Sequence, residues 1–214
     1  MTPGPRGGER FVVVAAVAAL ALCALAVAVS STDPLAGEDR LLQRLAVAEG
    51  GPWQDLWGAV ARLTDLVPLV VVTAAVVLVL LLRRRWWDAA DLLLLSAAVW
   101  VVNPVLKSAV ARPRPDVVDL PSGLSGWSFP AGHAANTMVL VLALLLVANV
   151  DGRRLRWAAV VGAAFVLLTA YAQLALERHY PSDLLAGWLL SLALVAGTAA
   201  VRQGGPEPSS HPAP

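Results

Sequence analysis

Six long apolar runs divide this chain, and they constrain its fold more than any other feature. Phe11 to Ser30 carries no charge at all. Further runs cover Leu66 to Leu82, Ala89 to Leu106, Ala134 to Val150, Trp157 to Leu176 and Leu184 to Val201. A helix of roughly 20 apolar residues crosses the hydrocarbon core of a bilayer. The runs therefore predict an all-α, polytopic membrane protein with six transmembrane helices in one bundle, covering residues 11–201. Composition agrees: 58% of the 214 residues are hydrophobic and 14% charged, whereas a soluble domain has about a quarter charged. The net charge of +1 gives no reason to expect a nucleic-acid partner.

The segments between the runs set the topology. Residues 1–10 and 202–214 are polar and rich in Gly or Pro, and are expected to be disordered. His211 falls in the tail and receives no role. Ala26-Val27-Ala28 resembles a small-residue cleavage site, but the first run is long for a signal core, so a retained helix is expected. Cys23 lies inside that run and reads as a packing or lipid-facing residue; a single cysteine allows no intrachain disulfide. Residues 31–65 are the one long polar stretch, with amphipathic pieces broken at Gly50-Gly51-Pro52, and read as one or two helices lying at the membrane interface. Arginines gather near the N-terminus (Arg6, Arg10), at 83–85 and at 153–156. The positive-inside rule then places both termini in the cytoplasm of a plasma-membrane protein, with the 31–65 segment and the 107–133 and 177–183 loops outside. No internal repeat of the kind seen in inverted-repeat transporters is evident.

Those two loops hold the residues suited to chemistry. Lys107, Arg112 and Arg114 fall within eight residues, and each arginine precedes a proline. Proline stiffens the backbone and favours extended geometry in the residue before it. The segment thus presents a point charge and two planar forks, both suited to phosphate oxygens. Phe129-Pro130-Ala131-Gly132-His133 opens the fourth run. The amides of Ala131, Gly132 and His133 at a helix start form a potential anion site, with His133 placed to give or take a proton. His179 and Asp183 are four residues apart, so on a helix they share a face, and the carboxylate can fix the imidazole tautomer. Such an imidazole is a nucleophile or a base. Taken singly, each of these residues also suits a structural role at the membrane surface. A metal site of His133, His179 and Asp183 lacks the spacing of zinc motifs, and no metal is expected.

Together these pieces resemble the type 2 phosphatidic acid phosphatase superfamily of integral-membrane lipid phosphate phosphatases. The first motif, a lysine, six residues and Arg-Pro, is Lys107 and Arg114-Pro115. The second, Pro-Ser-Gly-His, reads Pro130-Ala131-Gly132-His133. The third, Ser-Arg, five residues, His, three residues and Asp, reads Ala172-Gln173, His179 and Asp183. The resemblance covers roughly residues 30–200. It implies that His179 attacks phosphorus to form a phosphohistidine, that Asp183 orients it, and that His133 protonates the leaving oxygen. Lys107, Arg114 and the Gly132 amide would hold the phosphoryl oxygens, without a metal or other cofactor. The implied substrate is a lipid phosphate or diphosphate, isoprenoid or glycerolipid, handled among membrane lipids at the outer face.

Three positions depart from the motifs. Ala131 and Ala172 replace serines, and Gln173 replaces an arginine. Losing one preorganised donor commonly costs about 10²–10³ in rate. Arg178 or Arg112 are the candidates to compensate, although Arg178 does not share a helical face with Gln173. An impaired relative that binds lipid phosphate or a membrane partner without turnover is the second reading. A small anion-recruiting transporter is the third, and the few charges inside the spans give it no pathway. Abundant Ala and Gly in the spans would permit close packing within or between chains.

Overall fold

The computed structural model describes residues 7–32, 35, 37–48, 50–115, 126–148 and 151–204. Eight helices run through these residues: α1 (Gly7–Ser31), α2 (Glu38–Leu45), α3 (Pro52–Arg62), α4 (Leu66–Leu82), α5 (Trp86–Val110), α6 (Gly132–Val147), α7 (Gly152–Ala175) and α8 (Pro181–Gly204). Five stretches are long and apolar enough to cross a membrane: Gly8–Ser31, Pro52–Leu82, Trp86–Val110, Gly152–Ala175 and Pro181–Gln203. The shorter apolar helix α6 brings the count to the six expected from the sequence. Outward-facing Val13, Leu20, Val71, Leu94, Val101, Val161 and Val201 are well exposed, as lipid-facing side chains are.

The helices outrun the apolar cores that reveal them. Residues 7–10, expected to be disordered, form the first turn of α1, and 202–204 continue α8. Arg202 is held there by ion pairs to Asp88 and Asp91 on α5. The disorder expected for 1–6 and 205–214 concerns positions outside the described residues. The 31–65 stretch, expected at the membrane interface, forms two short helices among its described residues, α2 and α3, separated at Gly50 and Gly51 ahead of Pro52, which takes the first helical position. α3 also belongs to the candidate membrane-crossing stretch Pro52–Leu82.

The core lies where α5, α6 and α8 meet, built from Leu92, Val99, Ala135, Val139, Ala186 and Leu190. α1 packs along α8. The α6–α8 crossing is close. A Cβ at Gly187 would stand 2.6 Å from the Ala131 carbonyl oxygen and 2.9 Å from the Ala135 nitrogen. Ser191 also donates its hydroxyl to the Ala135 carbonyl at 2.7 Å.

Alternation of the spans sorts the loops onto two ends. One end carries the N-terminal turn of α1, the α4–α5 turn with Arg83–Arg85, the α6–α7 connection and the C-terminal turns of α8. Arg85 ties it together, donating to the Val147 carbonyl at 2.6 Å and pairing with Asp88 at 2.6 Å. The other end carries α2, α3, the C-terminus of α5, and the N-termini of α6 and α8. Every candidate functional residue lies at this second end.

Candidate functional site

α5 delivers the first group. It continues past its apolar core through Lys107 to Val110, and Ala111 then takes a left-handed conformation (φ 49°) that ends it. The chain turns there into the extended Arg112–Pro115 segment, which pairs with the strand-like stretch before α6. Pro113 and Trp127 form an antiparallel bridge, and the Ser128 amide donates to the Arg112 carbonyl at 2.9 Å. The Ser128 hydroxyl adds a bond to the Pro113 carbonyl at 2.8 Å. Lys107 reaches across to the Trp127 and Ser128 carbonyls at 2.7 and 3.2 Å.

The two arginines diverge. Arg114 donates through Nη1 to the Arg178 carbonyl at 2.7 Å, and the same nitrogen lies 3.3 Å from His179 Nε2. Arg112 turns inward and is buried. Its Nη1 donates to Asp183 Oδ1 at 2.8 Å and to the Ser182 hydroxyl at 2.7 Å; its Nη2 donates to Glu38 Oε2 at 2.8 Å. The guanidinium lies over the Tyr180 ring, 4.1 Å from its centroid. The expectation that Arg112 holds phosphate is therefore corrected. Two carboxylates already claim its fork, which is why it faces the interior.

His179 lies two residues ahead of α8 and Asp183 in its first turn, so they do not share a helix face as the spacing suggests. The turn before α8 nonetheless sets His179 Nδ1 3.5 Å from Asp183 Oδ2, an ion-pair distance. Oδ2 also accepts the Tyr180 amide at 2.9 Å. An arginine N–H can only donate, so Arg114 calls for an unprotonated Nε2, and the carboxylate calls for a proton on Nδ1. Burial lowers the His179 pKa to about 4, against the opposing pull of Asp183, with Arg114 and Lys107 lowering it further. The imidazole is thus neutral at pH 7, with its lone pair on Nε2.

His133 sits in the first turn of α6, and its Nε2 lies 3.1 Å from Asp65 Oδ1. Asp65 is the N-cap residue of α4, and nothing in the sequence points to its role. Gly132 lines the cavity, and its amide belongs to the first helical turn, which has no intrahelical acceptor. Ala131 departs from expectation. It is fully buried and donates its amide to the Asp183 carbonyl at 2.9 Å, tying α6 to α8 instead of facing an anion.

The remaining candidates lie outside the cavity. Gln173 is buried in α7, and both atoms of its amide are without a partner among the described residues. Arg178 contributes its carbonyl to Arg114. Burial lowers the Arg178 pKa, which Asp65 raises in turn.

A cavity of about 440 Å³ connects these groups. Lys107, Arg114, Gly132, His133, Asn136 and His179 line its polar part, and Leu66, Leu69, Val99, Trp100 and Pro104 its apolar part. A second groove of about 240 Å³ shares Leu69, Trp100 and Asn136 with it and runs on between α4, α5 and α6 along Val70, Ala74, Leu93, Ala97 and Val139. Among the described residues, no group of three or more His, Cys, Asp and Glu could hold a metal ion. The arrangement is a cationic, hydrogen-bonding pocket with a neutral imidazole at its wall and an apolar groove leading away from it.

Comparison with known proteins shows the family and the fold. The family model of the PAP2 superfamily matches residues 88–205. Lipid A 4'-phosphatases of Rhizobium leguminosarum and Rhizobium etli are each 34% identical over 124 residues, which is 51% of this chain and 52% and 47% of theirs. The chain thus matches about half the length of these curated relatives. The fold is similar to the crystal structure of the first transmembrane PAP2-type phosphatidylglycerolphosphate phosphatase from Bacillus subtilis, with a TM-score of 0.72 and 23% identity over 88% of this chain and 94% of that one. It is also similar to Aquifex aeolicus LpxE, with a TM-score of 0.60 and 18% identity over 79% and 98%.

Proposed function

The chain belongs to the PAP2 superfamily, and from that premise we propose that it hydrolyses a lipid phosphate or diphosphate through a phosphohistidine at the outer face of the plasma membrane. The observation that carries this reading is the His179 ring, with Asp183 facing one nitrogen and a cation suited to phosphate, Arg114, beside the other. A phosphoryl group entering the cavity would replace the ring nitrogen and the carbonyls as the partner of Arg114 and Lys107. Positioning and charge stabilisation are what phosphoryl transfer needs most. His179 Nε2 attacks phosphorus while the lipid oxygen departs and takes a proton from the His133 imidazolium, the charged form that Asp65 partners. Asp183 stabilises the charge that develops on His179. Water then attacks the phosphohistidine, giving up a proton to His133, and inorganic phosphate is released.

The apolar groove that continues from the cavity suits a lipid chain. Glycerolipid phosphate and isoprenoid diphosphate present a phosphate beside such chains, and lipid A, for which the curated relatives are named, is a third candidate. The arginine-rich end supports a cytoplasmic position for both termini. The test is phosphate release in detergent from one member of each class, comparing wild type with His179→Ala. Release that the substitution abolishes is expected; no release from any class would reject the reading. A binding-only relative is the second reading, favoured by Gln173 at the position of the family arginine. It predicts lipid phosphate binding without turnover.

A further inference from the structure

We propose that Glu38, on the short helix α2 ahead of the family-matched region, is a positioning residue that holds the His179–Asp183 pair through Arg112. The inference deepens the phosphatase reading and rests on it for its kinetic arm. Glu38 is buried, and its carboxylate accepts three hydrogen bonds. Oε1 accepts the Ser182 amide at 2.8 Å. Oε2 accepts Arg112 Nη2 at 2.8 Å and the Leu35 amide at 3.2 Å. The first of these caps α8 with a side chain from another helix, where an anion is favoured. The second fixes one tine of the Arg112 fork. Stacking on Tyr180 fixes its plane, so the other tine is directed to Asp183 Oδ1. Asp183 Oδ2 is then left for the Tyr180 amide and His179 Nδ1. Glu38, Arg112 and Asp183 do not line the cavity; the chain of contacts reaches it only at His179.

Chemistry makes this linkage sharp. Both Glu38 oxygens face N–H donors, so Glu38→Gln, though isosteric, must turn its own NH₂ towards one of them. Whichever bond breaks, Arg112 or the α8 N-terminus is released. Since Glu38 does not reach the cavity, substrate binding should be spared and only ring placement lost.

The experiment has two arms. In the first, phosphate release by Glu38→Gln is expected to show kcat lowered at least 10-fold with KM within about 2-fold of wild type. In an Arg112→Met background, Glu38→Gln should cause no further loss, because its route to Asp183 is already gone. The second arm reads the imidazole nitrogens of the purified full chain by ¹⁵N NMR, which needs no turnover. Wild type should show His179 as the single Nδ1–H tautomer, and Glu38→Gln a mixture. The double variant Glu38→Leu/Arg112→Met replaces the buried pair with apolar side chains, a change folds commonly tolerate. It should show the same loss as Arg112→Met alone. Wild-type kcat and an unchanged tautomer in Glu38→Gln, or losses that add in the double variants, would overturn the proposal. Absence of turnover in wild type would count against the phosphatase reading alone, because the tautomer measurement still decides the linkage.

Discussion

Arg114 Nη1 lies 3.3 Å from His179 Nε2, on the ring edge opposite the one that faces Asp183. A guanidinium beside an imidazole favours an unprotonated nitrogen, and burial of the ring acts in the same direction more strongly. The His179 pKa of about 4 lies below the usual histidine value because burial disfavours the charged ring. The attacking form therefore persists well below pH 6.5 in the free enzyme. The acid limb of kcat/KM that belongs to His179 should fall near pH 4. A pH–rate profile on a soluble short-chain lipid phosphate checks this; an acid limb at 6.5 that moves in an Arg114→Gln variant would speak against it. The sign for stability is the same. A lowered folded-state pKa gives stabilisation that is complete above pH 6.5 and lost as pH falls towards 4.

His133 is paired with Asp65 across 68 positions of sequence, at 3.1 Å. If His133 supplies the proton to the leaving group, its removal should matter in proportion to that group's basicity. His133→Ala is expected to lower kcat by roughly 10²–10⁴ on a lipid alkyl phosphate. On an aryl phosphate, whose phenolate leaves unaided, the loss should shrink at least tenfold. Equal losses on both substrates would remove His133 from that role.

Gly187 permits the α6–α8 approach that joins Ala131 to Asp183. A methyl group there would meet backbone atoms at 2.6 and 2.9 Å, which cannot swing aside as side chains do. Gly187→Ala should destabilise the protein by about 1–3 kcal/mol and slow turnover together. Unfolding in mixed micelles measures the first, phosphate release the second. Gly197 on the same helix, where a methyl group would meet nothing within 4 Å, is the control expected to tolerate alanine.

Gln173 stands where the family motif has arginine, yet its amide meets no partner among the described residues. A buried amide without partners costs about 1–3 kcal/mol. Gln173→Met, of similar volume, should leave the rate within about threefold and raise stability by up to that amount. A large loss of rate with unchanged stability would make Gln173 a phosphate ligand after all.

What could be read from the chain follows from how local each signal is. The spans were legible because a bilayer demands long apolar runs. His179 and Asp183 were legible as a pair, although the turn ahead of α8, not a shared helix face, brings them together. Helix ends were misjudged where polar residues such as Lys107 and Arg202 extend a helix beyond its apolar core. The partner of Arg112 was not legible. Glu38 lies 74 residues away on a separate helix, and no periodicity links them. Asp65 was hidden among other interfacial acids for the same reason. Arg112 and Ala131 were misread because the sequence supplies residue types, while burial decides whether a donor faces the ligand or the fold.

Phosphorylation of His179 is the step on which the proposed chemistry stands. It can be read by rapid acid-free quenching of the full chain mixed with ³²P-labelled lipid phosphate, followed by protein isolation at alkaline pH. A base-stable, acid-labile label on His179 is expected, formed faster than turnover and absent from His179→Ala. Steady release of phosphate with no labelled protein, or a label that persists in His179→Ala, would rule that step out.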